Sequence, residues 1–241
     1  MKKIFTLIAC TLSLTTLFAQ DSTVVRRKSP VSFANRSNDH LLIQLGYTGW
    51  AGAPDSVNPK GLSKSFNVYL MYDFPFKTNP KLSMAFGPGI SSDHIIFKET
   101  YVGIKDITTT MAFSDKSDTN HFKKTKLGTV YLEAPIELRF MANPANPNKS
   151  IKAAIGIKVG TMLSALTRNV ELQGREDNTL NDYTMKEKSK RFFNRNRLVG
   201  MARFGFGHIT LYGSYQLTTL FKDGAGPQVR PFSIGITLSG L

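Results

Sequence analysis

From Asp39 onward, apolar residues return at every second position, the period of a strand with two unlike faces. The clearest case is Thr129 to Phe140, "TVYLEAPIELRF". Val130, Leu132, Ala134, Ile136, Leu138 and Phe140 fall on one face, and Tyr131, Glu133, Pro135, Glu137 and Arg139 on the other. Seven further segments carry an alternation: His40 to Trp50, Lys64 to Phe74, Lys81 to Phe97, Ser150 to Leu163, Arg195 to Phe206, His208 to Phe221 and Pro231 to Leu241. In the third of these, "FGPG" at Phe86 to Gly89 marks a kink or bulge. In the segment from Arg195, Arg197, Met201 and Arg203 oppose Leu198, Gly200, Ala202 and Phe204.

Segments of this length approach the roughly 9–11 residues that a tilted strand needs to cross a bilayer. The connections agree. Ala51 to Ser63, Lys98 to Lys126 and Thr167 to Phe192 are long, whereas Pro75 to Pro80, Ala142 to Lys149 and Gly205 to Gly207 are short. Outer-membrane barrels show that parity, with short periplasmic turns and longer outward loops. The predicted fold is therefore all-β, an eight-stranded antiparallel up-and-down transmembrane β-barrel over 39–241, with both termini on the periplasmic side.

Closure of the sheet places two solvents on each strand. The apolar face of Thr129 to Phe140 then meets acyl chains, and the charged face fills a lumen that eight strands make just wide enough for side chains. A buried charge left alone costs on the order of several kcal/mol, so the inward charges are expected to pair. The candidate network is Glu133, Glu137, Arg139, Lys152, Lys158 and Arg203. Inward Gly156 and Gly160 make room for bulky neighbours. Pro135 lacks a ladder donor, which predicts a bulge there and another near Pro88. Tyr47, Trp50, Tyr72, Phe74, Phe76, Phe97, Phe140, Phe206 and Phe221 lie near strand ends, where interfacial girdles want aromatics.

The N-terminus adds a compartment. Lys2 and Lys3 precede an apolar run from Ile4 to Phe18 and a small-residue exit at Ala19, the order of a secretory signal peptide spanning 1–19. Residues 20–38 form a polar periplasmic lead-in. Leu7 to Cys10 also resembles a lipoprotein box, but too short an apolar stretch precedes it. Cleavage after Ala19 removes the only cysteine, and thiolate chemistry with it. Beyond Phe18 no run approaches the roughly 18 apolar residues of a spanning helix.

The formal charge of +14 suits an anionic partner. For an exported chain, that partner is outer-membrane lipid and lipopolysaccharide rather than nucleic acid. The strongest basic run, "MKEKSKRFFNRNR", sets Lys186, Lys188, Lys190, Arg191 and Arg195 around Phe192 and Phe193. These cations are candidates for lipopolysaccharide phosphates, with the phenylalanines in the membrane interface.

The segments resemble the small eight-stranded outer-membrane β-barrel family of Gram-negative bacteria that includes PorT-like proteins. The match rests on the leader ending "LFAQ", on "YLEAPIELRF", on "FGPGISSDHIIF" and on the closing "RPFSIGITLSGL". It implies an integral outer-membrane barrel without a cofactor; the chain is expected to be a monomer, with an envelope or secretion-system protein as a candidate partner. One departure is the close on Leu241, where such barrels often end in an aromatic that assists assembly.

Catalytic signatures are sparse. His40, His94, His121 and His208 are scattered without metal-site spacing, so no metal or cofactor is expected. In "SSDHI", Ser91, Ser92, Asp93 and His94 suggest a lipid-modifying site, but Asp93 and His94 are adjacent and so fall on opposite faces. The expectation is a non-enzymatic barrel whose extracellular loops serve envelope, adhesion or secretion-associated interactions. A narrow channel and a lipid-modifying barrel enzyme are the alternatives.

Overall fold

The computed structural model describes residues 40–54, 57, 59 and 61–240; the expected signal peptide and the lead-in over 20–38 lie outside the described residues. In chain order the strands are β1 Leu41–Ala51, β2 Lys64–Leu70, β3 Tyr72–Pro75, β4 Leu82–Phe86, β5 Gly89–Phe97, β6 Thr100–Gly103, β7 Ala112–Asp115, β8 His121–Met141, β9 Ile151–Gln173, β10 Thr179–Lys188, β11 Asn196–Phe206, β12 Ile209–Gln216 and β13 Arg230–Ser239.

Eight of these form a closed antiparallel ring in the order β1, β2, β5, β8, β9, β11, β12, β13. Closure is made by β13 on β1, from Leu42 opposite Ser239 to Ala51 opposite Arg230. Beyond a break at Met71, β3 continues the line of β2, and across Gly87 and Pro88 β4 leads into β5. The ring thus has eight walls, two of them interrupted.

The interruption faces Pro135. Its carbonyl accepts the Gly87 amide at 3.4 Å, and as a proline it returns no N–H. No bulge forms at Pro135 itself, contrary to expectation, and the residue stays in register with Lys158 on β9. The missing donor is accommodated by breaking the partner strand, where a Cβ on Gly87 would collide with the Leu70 carbonyl oxygen. The irregularity in β8 and β9 lies elsewhere. Val130 pairs with Ser164 and Tyr131 with Met162, which leaves Leu163 as an extra residue. Beyond it the inward parity of β9 shifts, so that Met162 and Ala165 are both buried.

The two central strands are longer than the sequence segments implied, 21 residues for β8 and 23 for β9. At roughly 3.3 Å per residue each outruns an apolar band of about 25 Å, even when tilted. Their far halves therefore project beyond the band. There β10 pairs with β9, so the expected loop over 167–192 contains an ordered hairpin arm. Likewise β6 and β7 form a separate hairpin inside the expected loop over 98–126. The last expected strand segment but one stops early, with Leu217 to Phe221 leaving β12.

One end of the ring carries the short connections 76–81, 142–150 and 207–208, and both described chain ends. The long connections gather at the other. Facing outward on the wall are Leu45, Phe66, Ile90, Leu132, Ile136, Ile155, Leu211 and Ile234, each more than two-fifths exposed. In a water-soluble protein that exposure would be unfavourable; in a bilayer it is the solvated state.

Candidate functional site: a filled lumen beneath an apolar cap

Inward side chains pair in two ionic layers. Nearer the short turns, Glu137 Oε2 accepts from Arg139 Nε and Arg203 Nη2, both at 2.8 Å. Arg139 Nη1 lies 3.5 Å from Asp73 Oδ1, which also accepts from Ser83 Oγ at 2.7 Å. Lys152 is buried and lines the same small cavity as Asp73, Arg139 and Arg203. One layer up, Glu133 Oε1 accepts from Arg197 Nε at 2.7 Å and Oε2 from Tyr69 Oη at 2.6 Å. Lys158 Nζ donates to Tyr69 Oη at 3.2 Å and sits 3.7 Å from Glu133 Oε2. Arg197 reaches Asp93 Oδ2 at 2.9 Å and Ser91 Oγ at 2.7 Å, with its guanidinium 3.7 Å above the Tyr131 ring.

From Ser91 a neutral chain runs round the wall. Ser91 donates to Asn67 Oδ1 at 2.6 Å, Asn67 to Gln44 Oε1 at 3.2 Å, and Gln44 to Thr237 Oγ1 at 3.0 Å. The upper layer thereby links β8, β9, β11, β5, β2, β1 and β13. Two spaces inside it and below it, about 10 and 20 Å³, are sized for no more than single waters.

Above the ionic layers the loops fold inward into an apolar core. Phe97, Ile104, Leu127, Phe192, Phe193, Leu220, Phe221 and Val229 are buried together, and Trp50 packs edge-on against Phe97, Phe113 and Phe221 at 5.6, 6.1 and 5.9 Å. This overturns two expectations. Trp50, Phe97 and Phe221 belong to the cap and not to an interfacial girdle, although Tyr47, Tyr72, Phe74, Phe76, Phe140 and Phe206 remain exposed on the outside. Phe192 and Phe193, expected at the membrane interface, are fully buried because the chain after β10 turns into the mouth.

Residues 18–218 match the model of the outer membrane protein beta-barrel domain. The chain belongs to the outer-membrane β-barrel domain family. No curated protein matches it. Family membership and the apolar outer wall agree on a transmembrane barrel, and with that frame the polar lumen is the protein's interior.

All six expected network residues face that interior, and Glu133, Glu137, Arg139, Lys158 and Arg203 are joined by the contacts above. Sequence reasoning did not assign Asp73, Tyr69, Asp93 and Arg197 to it. Arg197 shares strand parity with Arg203, which was the available signal. Asp93 is turned to Arg197, while His94 faces outward with Nε2 3.1 Å from Ser92 Oγ, so the two are on opposite faces. Of the basic run, Lys186 and Lys188 lie exposed on β10, and Arg191 is held by the Asp106 carbonyl at 3.3 Å and by the Phe192 ring. Lys190 is half-buried and Arg195 exposed at the foot of β11.

Proposed function

We propose that this outer-membrane barrel is non-enzymatic and non-conducting, and that it acts through the loop-built face at its long-connection end. The filled lumen under an apolar cap carries this reading. Among the described residues, two ionic layers and an apolar cap fill the barrel where a channel needs a continuous water path. Short turns at the opposite end and both described chain ends beside them support a periplasmic position for the termini. The work then falls to the cap, the β6–β7 hairpin and the β9–β10 arm, in envelope, adhesion or secretion-associated contacts.

The enzymatic alternative gains little from Ser92 and His94. They lie on the outer wall and, among the described residues, have no third group that orients a base for a nucleophile, since Asp93 is committed to Arg197. The test is exposure on intact cells. A protease added outside should cut only in the β9–β10 arm and the β6–β7 hairpin, with the protein running faster on gels unheated than boiled. Cleavage at 76–81 or 142–150 instead would mean that the orientation is reversed.

A further inference from the structure

On the outward face of the projecting wall, cations line up across neighbouring strands. Lys126 on β8 is directly opposite Arg168 on β9, which is directly opposite Lys186 on β10. Directly opposed residues share a face, so the three form one row. In the row beneath, on the membrane side, Lys64 pairs with His94, His94 with Gly128, Gly128 with Leu166 and Leu166 with Lys188. In the next row down Leu45, Phe66 and Val130 alternate with Ser92 and Ser164, and below that Ile43, Val68, Ile90 and Leu132 make the face apolar. Lys124 stands one step above Lys126.

Like charges directly opposed across a sheet are destabilising. Among the described residues no carboxylate lies within ion-pair distance of Lys64, Lys124, Lys126, Arg168 or Lys186. Glu187, next in sequence to Lys186, opposes Thr167 and thus takes the inner face. Above the row, on the side away from the membrane, opens a groove of about 860 Å³ lined by Lys64, Lys98, Lys123 and Lys124, by the carboxylates Glu99, Glu171 and Asp177, and by Leu62, Ile96 and Val170.

The geometry points to a binding site for the phosphorylated headgroup of an outer-leaflet glycolipid. Lys126, Arg168 and Lys186 hold its phosphate, the polar groove above them takes headgroup sugar, and the acyl chains lie on the apolar wall below, against Phe66, Ile90 and Leu132. The site rests on the transmembrane reading, and deepens it, because it places the cations at the level where the apolar band ends and headgroup phosphates begin. It also moves the lipid contact away from Arg191, which is turned to Asp106, and toward a row that the basic run contains only in Lys186. The outer leaflet commits the occupant to a lipid; a free phosphate would gain nothing from Phe66, Ile90 and Leu132 on the wall below the row.

The test uses the full chain folded into phosphatidylethanolamine vesicles that contain either bisphosphorylated lipid A or its dephosphorylated form. Lipid retained by the barrel is counted after detergent extraction, with K126Q/R168Q/K186Q compared with wild type and with K77Q/K81Q at the short-turn end. Three cations near an anionic surface correspond to a loss on the order of 100-fold in affinity for the phosphorylated lipid. The short-turn variant should keep it, and added salt should weaken it. Equal retention of dephosphorylated lipid by wild type, an unaltered triple variant, or displacement of the lipid by equimolar inorganic phosphate would overturn the site. Heat-dependent gel migration separates the two claims. A wild-type protein that inserts and migrates as a barrel but ignores lipid phosphate refutes the site alone, whereas failure to insert refutes the barrel as well.

Discussion

Glu133 and Arg197 occupy one row on either side of Gly160, and close a 2.7 Å hydrogen bond over it. The glycine is required by that closure. A Cβ at Gly160 would stand 2.9 Å from Glu133 Cγ and 3.4 Å from Arg197 Cγ. Gly160→Val should therefore force the pair apart and destabilise the barrel by about 3–5 kcal/mol, the cost of breaking a buried pair. Urea unfolding in lipid vesicles would measure it. Arg197→Met alone should cost a similar amount, because Glu133 and Asp93 lose a shared partner. Adding Glu133→Gln and Asp93→Asn to that variant should recover part of the loss.

Gly87 and Gly213 make a matched pair of substitutions. A methyl at Gly87 collides with the Leu70 carbonyl, at the point where the wall breaks opposite Pro135, while Gly213 has nothing within 4 Å. Gly87→Ala should destabilise by about 1–3 kcal/mol, and Gly213→Ala should be nearly silent. The midpoint of the heat-dependent gel shift would rank them.

Trp50 is the chain's one tryptophan and reports on the cap. Its emission should be blue-shifted and untouched by brominated lipids, because its neighbours are Phe97, Phe113 and Phe221 rather than acyl chains. Phe221→Ala should red-shift the emission and open the loops to protease. Efficient quenching by brominated lipid would put Trp50 back in the membrane interface.

Outside the membrane, Tyr101 Oη donates to Asp106 Oδ1 at 2.7 Å, and this hydrogen bond, helped by burial and by the carboxylate charge, pushes the phenol up to about 12 from 10.0. A raised phenol favours the folded loop while it stays protonated. Its contribution is whole below pH 10.0 and is lost as pH rises through about 12. Phenolate absorbance of the wild type minus that of Tyr101→Phe should show one late-titrating tyrosine; a step near 10.0 would contradict the contact.

The alternation in "TVYLEAPIELRF" was sufficient to assign every residue from Val130 to Phe140 to the correct face, because a closed sheet with two solvents enforces period two. It carried less information on partners. Pairing Glu133 with Arg197 depends on the stagger between β8, β9 and β11, and local pattern does not encode stagger. Beyond Leu163 the bulge inverts parity on β9, which hid the arm that pairs with β10. Trp50, Phe97 and Phe221 looked interfacial for a related reason: an aromatic at a strand end fits a girdle and a loop-packed cap equally well until the loops are placed. The bulge expected at Pro135 does not form, whereas the kink expected at "FGPG" near Pro88 is the break between β4 and β5.

Single-channel recording of the purified, folded protein in planar bilayers tests the sealed lumen most directly. Wild type should give no conductance steps, and Phe193→Ala/Phe221→Ala should give none either, since Arg197, Glu133, Arg203 and Glu137 still fill the barrel beneath the cap. Discrete, ion-selective steps from wild-type protein that migrates as a folded barrel would contradict it.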